Sequence, residues 1–281
     1  MKETRQKVLL TGARGMLGWA ATKELNLDYQ LIGIDIEDAD ISDESQIKEE
    51  IFKIQPDVVV HTAAYTEVDN CEKNKELTYR VNAKGAENVA QACKLSHSKL
   101  IYISTDFVFD GKKNSPYTEE DATNPINTYG WSKLEGEKQI QSILQNYLIV
   151  RTAWLYGPHG RNFVDTILQK ASSQKELTVV DDQIGCPTYT TELARALGIL
   201  IKKNPIGIVN VTNTGACSWY DFAKRIVELR GLPTTITPIK SNQLDRLAKR
   251  PSYSVLSPDK FKSLAGCTLQ SWDEALKEYL L

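Results

Sequence analysis

Val8-Leu-Leu-Thr-Gly12-Ala-Arg-Gly15-Met-Leu-Gly18-Trp19-Ala-Ala-Thr22 sets the fold of this chain. An apolar run meets three glycines at three-residue spacing and continues as a helix-compatible segment. This is the pattern of a strand, a tight turn and a helix start. Glycine at the turn permits unusual backbone angles, the second lets backbone approach an anion, and the third lets helix and strand pack closely. The helix N-terminus then offers unpaired N–H groups and a partial positive charge, the environment a dinucleotide pyrophosphate needs.

The same logic continues along the chain. Gln30–Asp35 reads as a second strand ending in an acidic residue 20 positions beyond Gly15, about where a carboxylate meets the adenosine ribose of a dinucleotide. Residues 43–54 read as a helix stopped by Pro56. Val58-Val-Val-His-Thr62 is β-branched without alternation, the mark of a strand covered on both faces, and Ala63-Ala64 at its end leaves room for something against the backbone. A helix is expected from about Leu77 to Ser96, a strand over Lys99–Ser104, a helix from Tyr129 through Leu144, and a strand over Tyr147–Arg151. Alternating elements of this kind make an α/β chain, a Rossmann-like doubly wound parallel sheet. Beyond Trp154 the pattern loosens: 162–172, 189–203, 219–230 and 271–281 read as helices, 177–181 and 208–212 as strands. Residues 1–155 are therefore expected to bind the dinucleotide. Residues 156–281 are expected to form mainly a smaller C-terminal α/β substrate lobe, with a strand and helix near 183–214 returning to the first domain.

Composition bounds the function. The chain has 281 residues, 34 basic against 36 acidic, so no basic excess points to nucleic acid. No segment reaches the apolar length of a membrane span. The five cysteines are scattered and odd in number, without a CxxC pair, which favours reduced thiols and a cytoplasmic protein. His61 reads as a core histidine, His97 and His159 as loop residues, and no metal site is expected. Asp181 and Asp182 are adjacent in extended chain and point to opposite faces, so shared catalysis by them is not expected.

The chemistry lies at two strand ends. Ser104-Thr105-Asp106 follows the fourth strand, and Tyr129 and Lys133 stand four apart on one helix face. An ammonium near a phenol stabilises phenolate, and a hydroxyl held close can bond both phenol and a substrate carbonyl. The set suits general acid catalysis, with Tyr129 giving a proton to a ketone oxygen as hydride arrives at carbon.

Gly12xxGly15xxGly18, Ala63-Ala64, Ser104-Thr105 and Tyr129xxxLys133 together resemble the extended short-chain dehydrogenase/reductase superfamily. Within it, several blocks are similar to the dTDP-4-dehydrorhamnose reductase family: Val68-Asp-Asn-Cys-Glu72, Ser104–Gly111, Tyr129–Glu137, Arg151–Tyr156, Asn162-Phe163, Asp182–Thr188 and Arg250–Ser254. The resemblance implies reduction of a dTDP-4-keto-6-deoxy sugar with NADPH or NADH. It makes Thr105, Tyr129 and Lys133 the catalytic set. Cofactor contacts are implied for Gly12, Arg14, Gly15, Met16, Leu17, Asp35, Ile36, Asp40, Ile41, Ala63, Ala64 and Tyr65, besides Tyr129 and Lys133. The nucleotide sugar is implied to meet Val68, Thr105, Asp106, Phe107, Tyr129, Trp154 and Asn162, with Arg250 toward the diphosphate. Asp35 favours a free 2′-hydroxyl and Arg14 offsets it, so dual cofactor use is expected. The glycine turn has no acidic residue of the kind said to hold magnesium in some members. Two other readings keep the scaffold: a reductase of a related dTDP-4-keto sugar, and a non-catalytic NADP-binding subunit. Monomer and homodimer are both left open.

Overall fold

A computed structural model of the chain describes residues 5–281. Its centre is a six-stranded, wholly parallel sheet: β1 (Lys7–Thr11), β2 (Gln30–Ile34), β3 (Val58–His61), β4 (Lys99–Thr105), β5 (Tyr147–Thr152) and β6 (Gly207–Asn210). The order across the sheet is β6-β5-β4-β3-β1-β2. Side chains alternate between the two faces of a strand, so successive residues of β1 serve two cores. Val8 and Leu10 pack with Leu17, Ala21, Leu193 and Leu197 on one face. Leu9 packs with Val59, Ile47, Val89 and Tyr102 on the other. Burial on both faces is what the unalternating Val58-Val-Val run requires.

The connection leaving β1 crosses to one side of the sheet and the one leading to β3 crosses to the other. The carboxyl ends of β1 and β3 therefore flank the crevice where such sheets bind ligands. Helix Met16–Leu25 starts on that crevice, and helix Thr190–Lys203 packs beside it before the chain enters β6 at the far edge.

The expected helix over 77–96 is interrupted. Helices Val68–Lys73 and Lys75–Tyr79 lead into a π-turn, Arg80–Lys84, and only then into helix Gly85–Ser96. The turn has a local purpose: it aims Asn82 sideways, where its Oδ1 accepts from the Tyr65 N–H and its Nδ2 donates to Ser132. One amide thus ties the loop after β3 to helix Thr128–Ile143.

A third core gathers Tyr156, Ile167, Val179, Phe222 and Leu276 from later elements. Its strands are short: Glu176–Val180 pairs in parallel with Thr235–Ile239, and Ile184–Gly185 pairs with Cys217–Ser218. Helices Phe163–Ala171, Trp219–Leu229 and Trp272–Leu280 surround them. A capping box, Ser218 with Asp221, fixes the start of the second of these.

Candidate active site

At the end of β1 the three glycines have three separate reasons. Gly12 sits at φ +71, and a Cβ there would fall 2.7 Å from the Ala63 backbone nitrogen at the end of β3. A Cβ on Gly18 would fall 2.0 Å from the Gly12 carbonyl oxygen, so helix and turn touch because both residues are bare. Gly15 has ordinary φ, −71, and its Cβ would meet only that same oxygen, at 3.3 Å. What its bareness preserves is the open approach to the first N–H groups of helix Met16–Leu25, the cradle a pyrophosphate fits.

Asp35 braces this turn. Its two carboxylate oxygens accept from the Arg14 and Ile36 N–H groups at 2.8 and 2.9 Å. The Arg14 side chain is exposed and rests on Glu37 at 2.7 Å. Ile36 is 66% exposed beside it. Asp40 accepts from the Ser42 N–H. Leu17 and Ile41 have their side chains in the two sheet cores, so only their backbone is available to a ligand. Met16 lies against the Gly160 backbone, and Tyr65 is held through its own backbone by Asn82.

The catalytic candidates converge next to this turn. Thr105 ends β4, and its hydroxyl donates to Asp106 at 3.0 Å while accepting from the Phe107 N–H. Tyr129 is in the first turn of helix Thr128–Ile143, whose N-cap Asn127 accepts from the Gly130 N–H at 2.8 Å. A Cβ on Gly130 would lie 2.1 Å from the Phe107 carbonyl oxygen, so a bare residue lets this helix start close to the end of β4. Burial holds the Tyr129 phenol well above its usual 10.0, with the Thr105 hydroxyl acting in the opposite direction. The resting side chain is a protonated phenol. Lys133 is buried, with its ammonium 3.9 Å from the Tyr102 ring centre; burial brings it down to about 7 and Glu137 opposes that. His61 is neutral, lowered to about 3 by burial and then by Lys133, and its Nδ1 meets the Thr11 hydroxyl at 2.6 Å.

Beyond Thr105 opens a cleft of about 570 Å³, lined among others by Phe107, Trp154, Phe163, Trp219, Arg250 and Ser254. Asp106 is buried with Oδ2 unpartnered; burial pushes its carboxyl up to about 7 while the Ser254 and Thr105 hydroxyls pull the other way. The Trp154 indole stacks on Trp219 at 3.5 Å with 5° between planes, and Trp154 is held at φ +47. A Cβ on Gly185 would stand 2.4 Å from that indole, so the tryptophan fits only over a bare residue.

Two expected substrate residues are heavily engaged within the protein. Arg250 is bidentate to Asp69 at 3.1 and 2.7 Å and donates to the Ala248 carbonyl. Asn162 caps helix Phe163–Ala171 and donates to Gly157 and Asp165. Val68, half-buried, starts the helix that presents Asp69 to Arg250. The Asp181-Asp182 pair is structural: Asp181 meets Lys240, and Asp182 accepts from Ser241.

Sequence reasoning gave no site role to Asn82, Trp219, Glu137 or Arg151. Trp219 had a signal, an aromatic beside the capping pattern of a helix start. The other three act through partners distant in sequence.

Residues 6–281 match the family model described as RmlD substrate binding domain. The chain is 42% identical to the spore coat polysaccharide biosynthesis protein SpsK of Bacillus subtilis (strain 168), over 98% of this chain and 96% of that one. It is 35% identical to a dTDP-4-dehydrorhamnose reductase of Aggregatibacter actinomycetemcomitans, over 96% of this chain and 97% of the other. The crystal structure of dTDP-4-dehydrorhamnose reductase from Bacillus anthracis str. Ames in complex with NADP superposes with a TM-score of 0.96 at 39% identity, covering 98% of this chain and 99% of that one. A parallel sheet with a glycine cradle, a buried phenol beside a hydroxyl-bearing strand end, and similarity running through both halves of the chain converge: this protein belongs to the RmlD family of dTDP-4-dehydrorhamnose reductases.

Proposed function

We propose that this protein reduces the 4-keto group of dTDP-4-dehydro-6-deoxy-L-mannose to dTDP-L-rhamnose, the last step in making that nucleotide sugar, with NADPH or NADH as reductant. The observation that supports it most is the protonated Tyr129 phenol beside the Thr105 hydroxyl, on a strand end that leads through Phe107 into an aromatic cleft, in a sheet whose first strand ends in a glycine turn.

Bound NAD(P)H supplies the hydride. Gly12 and Gly15 would hold its pyrophosphate, Asp35 its adenosine ribose with Arg14 beside it for a 2′-phosphate, and the Ala63-Ala64 end of β3 its path across the sheet. Thr105 orients the carbonyl by donating to its oxygen. Tyr129 transfers its proton to that oxygen as C4 gains the hydride, so a ketone becomes an alcohol and the phenol a phenolate. The Lys133 cation and the Thr105 hydroxyl stabilise that phenolate until it recovers a proton. Trp154, Trp219 and Phe107 form the wall that receives the nucleotide sugar, with Arg250 on the same cleft and the free Oδ2 of Asp106 offered to a sugar hydroxyl. On this reading residues 1–155 serve mainly the cofactor and 156–281 mainly the nucleotide sugar. The reading extends to a cytoplasmic enzyme, supported by five cysteines none of which is paired. Loss of reduced-nicotinamide absorbance on adding enzymatically made dTDP-4-dehydrorhamnose tests it; no turnover with either cofactor refutes it.

A further inference from the structure

Behind the catalytic residues lies a buried ion pair that the mechanism above does not use. Glu137 stands one turn beyond Lys133 on the same helix, and Arg151 stands on β5; they are 1% and 2% exposed. Arg151 Nε and Nη2 donate to the two Glu137 oxygens at 3.0 and 2.7 Å. The Ser104 hydroxyl donates to Glu137 Oε1 at 2.5 Å. Ser104 and Arg151 face one another across β4 and β5 in register.

A pair so deeply desolvated is a poor device for stability, because well-packed apolar residues in its place serve as well or better. Its position gives it another use. Ser104 and Tyr102 point to the helix side of β4, and Thr105, next in the strand, points to the crevice. Helix Thr128–Ile143 is pinned to β4 at two successive turns: Lys133 over the Tyr102 ring, and Glu137 on Ser104. Gly136 makes the fit possible, since a Cβ there would lie 2.6 Å from the Tyr102 hydroxyl. The register of Tyr129 against Thr105 follows from those two pins.

We propose that Glu137 and Arg151 are positioning residues for the reduction: locked to Ser104, they set the helix that bears Tyr129 and Lys133 against the strand end that bears Thr105, and Glu137 supplies the negative charge facing Lys133. The inference rests on the reductase reading. The other groups facing Lys133 are neutral His61 from β3, Tyr102 from β4 and Tyr129 from its own helix, and the Arg80–Lys84 segment turns neutral Asn82 toward that helix.

The test compares wild type with Glu137→Gln and with the double variant Glu137→Gln/Arg151→Met, which leaves no orphaned Arg151 guanidinium should the single variant fail to fold. Two quantities are read: the pH profile of kcat with dTDP-4-dehydrorhamnose, and the Kd for NADH followed by nicotinamide fluorescence without sugar. Both variants should lose about tenfold in kcat, and their alkaline limb should move about one unit to lower pH, because Lys133 is cationic below that limb and loses its carboxylate. NADH Kd should rise severalfold as Lys133 loses its proton, near pH 7 in wild type and at a lower pH in the variants. Variants that lose activity with an unmoved limb and an unmoved pH dependence of NADH Kd would overturn the proposal, as would variants indistinguishable from wild type. If wild type itself reduces no sugar, the reductase reading fails, and the NADH titration still decides whether Glu137 acts on Lys133.

Discussion

The Lys133 ammonium lies 3.9 Å from the centre of the Tyr102 ring, and the hydroxyl of that tyrosine reaches the Asn82 carbonyl at 3.4 Å. A buried cation over an aromatic face gains on the order of 2 kcal/mol when both are desolvated. The strand beneath Lys133 therefore supports its charge as well as its position. Tyr102→Leu should raise the NADH KM about tenfold, while Tyr102→Phe, which keeps the ring, should stay within about twofold of wild type. Steady-state kinetics on both variants checks this; equal losses would assign the effect to the hydroxyl instead of the ring.

Gly15 and Gly18 should separate binding from folding. An added Cβ at Gly18 lands 2.0 Å from the Gly12 carbonyl oxygen, whereas one at Gly15 meets that oxygen at 3.3 Å. Gly18→Ala should destabilise the protein by on the order of 3 kcal/mol, seen in denaturant unfolding. Gly15→Ala should leave unfolding nearly unchanged and raise the Kd for NADH and NADPH alike by about tenfold or more.

Arg14 bears on cofactor choice. Its guanidinium rests on exposed Glu37, a contact of small worth that a 2′-phosphate can displace. Arg14→Ala should raise the NADPH KM about tenfold and leave that for NADH within about twofold. Parallel kinetics with the two cofactors decides it, and a uniform change would place Arg14 on the pyrophosphate.

Asp106 offers a test by pH. Burial pushes its carboxyl from 3.8 up to about 7, so the fold favours the protonated form. With a folded-state pKa above the unfolded one, the stability this group contributes is complete below about pH 4 and lost as pH rises through about 7. Asp106→Asn removes that loss. Its melting temperature should match wild type near pH 4 and exceed it by on the order of 5 °C near pH 8. A difference independent of pH would mean the carboxylate is ionised in the fold.

The elements written in local pattern were legible in the sequence. Three glycines after an apolar run, Val58-Val-Val without alternation, and Tyr129 four before Lys133 announce a tight strand-to-helix turn, a covered strand and one shared helix face within a dozen residues each. What escaped was set by distance or by exception. Asp69 meets Arg250 across 181 residues, and no window of sequence contains both. Glu137 and Arg151 belong to different elements, a helix and a strand, so their pairing is not written in either local pattern. Thr235–Ile239 is a strand despite Pro238, which argues against pairing on both sides; it pairs on one side only, with Glu176–Val180. The π-turn over 80–84 breaks the helical period to aim Asn82, and a periodic reading runs straight through it.

The central claim is that Tyr129 protonates the 4-keto oxygen of a dTDP-linked sugar in this site. The most direct measurement is chromatographic and NMR identification of the product from dTDP-4-dehydrorhamnose and NADPH, with wild type and Tyr129→Phe side by side. Wild type should yield dTDP-L-rhamnose, and the phenylalanine variant, folded and binding NADPH normally, should turn over about 10³-fold more slowly. Undiminished product from Tyr129→Phe, or none from wild type, would contradict the account.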